Sequence, residues 1–423
     1  MATAYASSSD EPDIVYYNVS VVNGRTIYNG AGTQVDAKYT ETRDSPVIRD
    51  ASKYFFSIVR ASLSGTDKFT PLFIPRVEIG QADRNKTIYN ITLRVVAVSG
   101  GKSATFTSTR PISWTPQMAS VVVPPAPLTS QDFSNEYYWC MNYEWWVDLV
   151  NDTFQACWND LNTSYKTFSG GFNLTTPQPY IRYDPSTKRF SLYGSTYGWG
   201  GADRQAPAPS DENFSMYFDS NMYGLFSFFP HRNLGGDPAT TNSLGVNKCA
   251  YEILFFAKQP GANIYRPTTI ASATPTASPT FYVMEQDMVS TTTLWSPIDA
   301  LVFTTTLIPI VNEQSGQPVF IGQSNSTGIA GGGSFFQPII TDVQVAMDSG
   351  TGAEGYNEQV SYVPSAEYRL TAMSNTKVDV RNIDIQVFWR NRLDGQLYPI
   401  KMFNQASFSL KIMFRRRDFN ITY

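Results

Sequence analysis

The chain has 423 residues, of which 14% are aromatic and only 16% are charged. Average soluble domains carry roughly 25% charged residues. The net charge of −4 argues against a protein that wraps nucleic acid or coats an anionic membrane. A single histidine excludes a multi-histidine metal site and leaves one imidazole base for the whole chain.

The N-terminal residues contain no basic segment followed by an apolar one, so they do not resemble a secretory signal peptide. No apolar run approaches the ~20 residues that a membrane span requires. We therefore expect a chain synthesised without secretion and without a membrane span, with a flexible arm at 1–13. The three cysteines, Cys140, Cys157 and Cys249, form no CxxC pair, and we expect them to be reduced and buried.

Most of the sequence follows a two-residue period, which is typical of half-buried strands. Apolar residues occupy alternate positions in 87–97, in Ile383–Trp389 and again in Phe408–Phe414. The segment Tyr54–Val59 is apolar on both faces, which suits an inner strand or a strand at an interface. The sequence therefore predicts an all-β protein.

One segment has a helical period instead. Residues Trp146, Val150, Phe154, Cys157 and Leu161 recur at spacings of three and four, so the segment buries one face of a helix. We predict a helix over 143–161.

The strand pattern lies on both sides of this helical segment. We predict a single jelly-roll β-sandwich, built from 14–125 and 281–423, with an inserted domain at 126–280 that contains the helix. Pro-, Gly- and Thr-rich segments at 123–127, 266–280 and 324–334 are typical of boundaries and loops. Two consecutive β-domains are the competing layout.

Few residues suggest chemistry. His231 lies between a proline and a Gly-Gly pair without a recognisable nucleophile nearby, so we interpret it as a loop histidine. Asp148 and Asp152 share a helix face and superficially resemble a metal or acid–base pair, but a solvated face explains them. The Gly331–Gly333 run does not link a strand to a helix, which disfavours phosphate binding. We predict no catalytic, cofactor-binding or metal-binding residue and no cofactor.

Two further segments suggest surfaces. Tyr193–Gly201 places Tyr and Trp rings among glycines, and we favour a protein interface over sugar stacking. Arg415–Arg417 ends the final strand, where the arginines alternate between faces. A solvated strand edge is the stronger interpretation, and contact with nucleic acid or an acidic partner is the alternative.

Several blocks, in this order, resemble the penton, or minor capsid, proteins of virophages and polinton-like double-stranded DNA viruses. The blocks are Ser45–Arg60 (SPVIRDASKYFFSIVR), Pro71–Pro75 (PLFIP), Glu136–Asn151 (EYYWCMNYEWWVDLVN), Pro179–Asp184 (PYIRYD), Met216–Phe226 (MYFDSNMYGLF), Ile383–Trp389 (IDIQVFW) and Phe408–Arg415 (FSLKIMFR).

The resemblance implies a structural virion protein with no catalysis. It implies homopentameric pentons at the icosahedral five-fold vertices, contact with the surrounding major capsid protein, and other minor capsid or cement proteins as further neighbours. Contact of the Arg415–Arg417 end with the genome, and of the insertion with a host receptor, stays open. The alternatives are a carbohydrate-binding or host-attachment protein of a virion and, behind it, a glycoside-acting enzyme.

Overall fold

The structure is a computed structural model. It describes the following residues: 11–24, 35–64, 85–115, 143–195, 198–199, 212–233, 251–254, 268–271, 280–286, 291, 295, 298–315, 335–344, 360–362, 370–392, 395, 397–402 and 406–418. The predicted arm at 1–13 is therefore described only from Glu11 onwards. The segments 123–127 and 324–334 lie outside the described residues, as does most of 266–280.

Strands dominate the described chain. Its first part contains β1 (Ile14–Val22), β2 (Val35–Asp36), β3 (Lys38–Thr42), β4 (Tyr54–Ser64), β5 (Lys86–Ser99) and β6 (Lys102–Ser113). The middle part contains α1 (Tyr143–Phe168), β7 (Tyr180–Asp184), β8 (Arg189–Ser195), β9 (Glu212–Phe218), α2 (Ser220–Leu225), β10 (His231–Asn233), β11 (Tyr251–Ile253), β12 (Thr268–Ala271) and β13 (Thr280–Glu285). The last part contains β14 (Ile298–Thr304), β15 (Glu313–Ser315), β16 (Phe335–Gln337), β17 (Ile339–Gln344), β18 (Val360–Tyr362), β19 (Thr371–Ala372), β20 (Asn382–Asn391), β21 (Leu397–Pro399), β22 (Lys401–Met402) and β23 (Ser407–Arg416).

Two antiparallel sheets enclose the first hydrophobic core. One has the order β1-β23-β4-β18, with β19 also paired to β4, and the other has the order β17-β14-β20-β21, with β3 also paired to β20. Alternate side chains of both sheets point inward, among them Val19, Phe56, Leu301, Val387 and Leu410. This arrangement confirms the alternation predicted for 383–389 and 408–414, although β20 and β23 belong to different sheets.

The strand order of this sandwich follows a jelly-roll pattern. In chain order the eight strands of this pattern are β1, β3, β4, β14, β17, β18 together with β19, β20 and β23. The first, eighth, third and sixth of these form one sheet, and the second, seventh, fourth and fifth form the other. The third strand ends at Ser64, which pairs with Ser407. The fourth strand starts at Ile298, which pairs with Asn391. We call the end of the sandwich at Ser64 and Ile298 the insertion end. The opposite end, where Ile14 pairs with Arg415, is the termini end.

A second core contains the elements between β4 and β14. The sheet β10-β11-β9-β5-β6 and the sheet β12-β13-β8-β7 both contribute to it, and α1 packs against β5, β6 and β7. The alternation predicted for 87–97 is confirmed, because Ile91, Leu93 and Val95 are buried against the helix. Large aromatic side chains fill this core, namely Trp114, Trp146, Phe154, Phe190, Phe218, Phe226 and Trp295.

Helix α1 begins at Tyr143, as predicted, but continues past Leu161 to Phe168. Tyr165 extends the buried stripe by another turn, which explains the additional length. The helix ends where Gly170 and Gly171 adopt φ angles of 76° and 115° and the Gly171 N–H donates to the carbonyl of Lys166 at 2.8 Å. Glycine adopts such positive φ angles without the cost of a Cβ.

The predicted domain limits stay a prediction. Sheet membership favours wider limits for the insertion, because β5 and β6 share a core with α1 rather than with the sandwich. We therefore propose that the inserted unit lies between Ser64 and Ile298, in place of 126–280.

Candidate functional site

The outward face of the sheet β1-β23-β4 combines small polar side chains with a few cations. Tyr16, Asn18, Ser20 and Val22 alternate with the inward residues of β1, and Ser409 lies directly beside Ser20. Tyr16 and Val22 are 52% and 62% exposed, which is unusual for side chains of this size. We call this surface the serine face. Its outward residues are Ile14, Tyr16, Asn18, Ser20, Val22, Phe55, Ser57, Arg60, Ser62, Ser407, Ser409, Lys411, Met413 and Arg415.

The serine face contains cations but no carboxylate at these positions. The Lys411 ammonium lies 4.6 Å from the centre of the Tyr16 ring, and Arg415 occupies the termini end of the same face. Met413 and Ser57 are already buried there, although they point away from the sandwich core. Small, uncharged side chains with few rotatable bonds lose little entropy when another surface covers them. The face is therefore suited to protein contact.

The predicted arginine segment connects both ends of the described chain. The Arg416 guanidinium pairs with Asp418 at 2.6 Å and with Asp13 at 3.3 Å. Arg417 donates to the carbonyl of Met373 at 2.6 Å and to Asn375 Oδ1 at 3.0 Å, and it lies over the Phe55 ring at 5.4 Å. Hydrogen bonding from Arg416 lowers the pKa of Asp418. Arg416 and Arg417 thus stabilise the termini end of the sandwich. The interpretation of this segment as a solvated strand edge is wrong, because β23 lies between β1 and β4.

A buried carboxylate organises a loop at the same end. Asp384 accepts from Thr305 Oγ1 at 2.5 Å, from Thr306 Oγ1 at 2.7 Å, and from the backbone N–H groups of Thr306 and Leu307 at 2.9 and 2.8 Å. Burial alone would raise the pKa of Asp384, but these hydrogen bonds outweigh burial and lower it. The loop after β14 is consequently fixed, and it presents Leu307 to solvent with 47% exposure.

The residues that were considered as chemical candidates and set aside lie on different elements of the fold. His231 is exposed on the edge strand β10, where its Nδ1 lies 2.8 Å from the Tyr223 hydroxyl and 3.1 Å from the Phe229 carbonyl. Trp199 is only 2% exposed and packs against Phe214, while Tyr193 stacks on Tyr180. Tyr197, Gly200 and Gly201 lie outside the described residues. The Trp199 ring is therefore part of the core, so for this residue both the favoured protein interface and the alternative of sugar stacking are wrong.

The helix carboxylates Asp148 and Asp152 are both exposed. Asp148 lines a cleft between α1 and β7, whereas Asp152 lies outside that cleft. Sequence reasoning identified the acidic pair but missed the cleft, because β7 follows α1 only after a loop whose course no periodicity predicts.

Cys157 is buried, as predicted, and burial raises the pKa of its thiol to about 11. Cys140 and Cys249 lie outside the described residues. In the part of the chain that the structure describes, no group of three His, Cys, Asp or Glu residues could hold a metal ion. Within the same part, no helix is long and apolar enough to cross a membrane.

Two solved structures resemble this chain. One is described as "The 3.5 Å resolution structure of the Sputnik virophage by cryo-EM" and gives a TM-score of 0.61 at 20% identity, with 96% of this chain and 99% of that chain covered. The other is a crystal structure of the mavirus penton protein, with a TM-score of 0.52 at 11% identity over 96% of this chain and 100% of that chain. These likenesses confirm the all-β jelly-roll fold predicted from the sequence.

The sequence comparisons identify the class of protein. A Sputnik virophage protein named "Uncharacterized protein V18" is 25% identical over 157 residues, which are 36% of this chain and 86% of that protein. The family model described as Sputnik minor capsid protein V18/19 matches residues 15–416. The chain is therefore a virophage-type minor capsid protein, a structural component of the virion. It belongs to the Sputnik minor capsid protein V18/19 family, which confirms the resemblance stated from the sequence blocks.

Proposed function

We propose that this minor capsid protein forms homopentameric pentons at the five-fold vertices of an icosahedral capsid, where the major capsid protein surrounds it. We further propose that it has no catalytic role, that it is synthesised inside the host cell without secretion, and that other minor capsid or cement proteins are further neighbours. The serine face is the observation that carries the proposal.

A pentamer closed by a five-fold rotation is a head-to-tail assembly, so each subunit needs two different complementary surfaces. The serine face supplies one of them, with Arg60, Lys411 and Arg415 as its cations. The outward face of the opposite sheet differs in character. It carries exposed Asp299 and the half-buried Phe388, and an ion pair of 3.4 Å joins Arg390 to Asp342. A cationic, serine-rich face and a face containing carboxylates complement each other.

Contact with the major capsid protein is supported by the termini end. Four exposed apolar side chains lie on loops at this end: Leu307, Val311, Leu370 and Val378. The loops are tied to one another, since the Val311 N–H donates to the Ala372 carbonyl and the Ala51 N–H donates to the Val378 carbonyl. Exposed apolar groups on a fixed framework are typical of surfaces that a neighbouring protein covers.

The experiment that tests the proposal compares the wild type with Ser20→Arg. We expect pentamers of the wild type by multi-angle light scattering at micromolar concentration and five-membered rings by negative-stain microscopy. Ser20 is exposed, so Ser20→Arg should fold, but it places a bulky cation on a face that already carries cations and should shift the protein to monomers. Ser103→Arg, an exposed serine on β6, is the matched control and should keep the pentamer.

Two outcomes contradict different parts of the proposal. A wild-type protein that stays monomeric and forms no rings contradicts the pentamer itself. Rings that persist in Ser20→Arg leave the pentamer intact but exclude the serine face as its interface.

A further inference from the structure

A cleft of about 430 Å³ lies between the first half of α1 and the edge strand β7. Its principal lining residues are Glu144, Val147, Asp148, Tyr180, Ile181 and Arg182. Small-molecule sites are typically concave and span roughly 300–1,000 Å³. The cleft belongs to the inserted unit, so it is separate from the serine face.

The walls of the cleft are held in place by specific contacts. The Asn151 side chain donates to the Ile181 carbonyl at 3.0 Å and accepts from the Ile181 N–H at 2.8 Å, which joins the helix to the edge of β7. The Tyr180 ring stacks on Tyr193, with centroids 4.5 Å apart and planes 3° apart, and it also meets Phe281. A rigid wall lowers the entropic cost of binding, because little has to be ordered when a ligand arrives.

The polar groups of the cleft favour one class of ligand. The carboxylates of Glu144 and Asp148 can only accept hydrogen bonds at neutral pH, and the Arg182 guanidinium can only donate. A saccharide matches this mixture, because each hydroxyl both donates and accepts. Two carboxylates against one guanidinium disfavour phosphate, sulfate and sialic acid groups by Coulomb repulsion. Partial burial, together with the carboxylates of Asp152 and Glu144, raises the pKa of Asp148, and hydroxyl donors from a sugar would stabilise its charged form.

We propose that this cleft binds an uncharged saccharide. Tyr180 forms the aromatic wall, Glu144 and Asp148 accept from sugar hydroxyls, and Arg182 donates to a ring or hydroxyl oxygen. The proposal does not depend on the pentamer, because none of these residues lies on the serine face.

The test uses the full chain on an array of immobilised glycans with neutral hexose or N-acetylhexosamine ends, together with sialylated and sulfated glycans and an oligolysine peptide. We expect binding to at least one neutral glycan, and a loss of at least tenfold in affinity in Asp148→Asn and in Tyr180→Ala. Asp152→Asn is the matched control, since it is the same substitution one turn further along the same helix and outside the cleft. It should change affinity less than twofold.

Several outcomes overturn the proposal. They are the absence of binding to every neutral glycan, preference for sialylated or sulfated glycans, and an equal loss of affinity in Asp148→Asn and Asp152→Asn. If the protein binds only the oligolysine peptide, and Asp148→Asn abolishes that binding, the ligand of the cleft is a basic peptide and not a saccharide. Thermal unfolding and ring formation of each variant separate a loss of the cleft from a loss of the fold or of the pentamer.

Discussion

The two hydrophobic cores of this protein differ in how they are filled. The sandwich core takes mainly aliphatic side chains from alternate strand positions, such as Ile58, Leu301 and Leu410. The core of the inserted unit relies on a few large rings from distant segments. The Phe190 and Trp295 rings stack at 4.9 Å, and both meet Phe226 edge-on at 5.0 and 5.4 Å. We infer that stability is distributed in the sandwich and concentrated in the inserted unit.

The largest expected effect follows from Trp295→Ala. This change removes a buried ring that contacts Tyr143, Phe190 and Phe226 and whose Nε1 donates to the Leu225 carbonyl at 2.8 Å. We expect a loss of about 3–5 kcal/mol in the free energy of unfolding. Urea unfolding followed by far-UV circular dichroism measures this loss. In the variant, the inserted unit should unfold in a first transition, at a lower urea concentration than the sandwich.

Trp389→Ala is the matched change in the sandwich, because Trp389 is also fully buried and stacks on Tyr398 at 4.6 Å. We expect Trp295→Ala to keep pentameric rings in negative stain at low temperature, and Trp389→Ala to lose them. Equal loss of rings in both variants would show that the two cores do not act separately.

The difference between the cores also explains what the sequence could predict. Alternation along Phe408–Phe414 predicts the inward face of β23, since neighbouring residues of a strand point to opposite sides. The stripe from Trp146 to Leu161 predicts α1 for the same kind of local reason. No local period shows that Trp199 packs on Phe214 inside the core, or that Asp148 faces β7. Those positions depend on the packing of segments that are far apart in the chain.

Each region contains a hydrogen-bonded carboxylate that makes its stability depend on pH, and the two dependences have opposite signs. In the sandwich, hydrogen bonds lower the pKa of Asp384 below its unfolded value, so its contribution to stability is present above a pH of about 4 and is lost as the pH falls through the folded pKa. In the inserted unit, Asp219 accepts from Met222 N at 2.7 Å and from Asn90 Nδ2 at 2.8 Å, but burial raises its pKa. Its contribution therefore decreases as the pH rises through the folded pKa.

We expect Asp384→Ala to lower the free energy of unfolding at pH 7 by about 2–3 kcal/mol, because it leaves backbone donors of the Thr305–Leu307 turn without their acceptor. Near pH 3 the difference from the wild type should shrink. Asp219→Asn is the control. Its difference from the wild type in the free energy of unfolding should not become smaller as the pH falls. Urea unfolding at pH 3, 5 and 7 measures both, and a constant cost of Asp384→Ala across this range would contradict the assignment.

The smallest expected effect concerns two neighbouring arginines at the termini end. Arg417 holds Met373, Asn375 and the Phe55 ring at once, which requires a planar fork that lysine lacks. Arg416 pairs with the exposed carboxylates of Asp13 and Asp418, and such surface pairs contribute little to stability. We therefore expect Arg417→Lys to cost about 1 kcal/mol, and Arg416→Lys, which keeps the charge of the surface pair, to cost less at low and at high salt. Thermal unfolding at 0.05 and 0.5 M NaCl compares the two variants.

Because both arginines lie in the sandwich, neither change should shift the unfolding transition of the inserted unit. Such a shift would contradict the separation of the two cores.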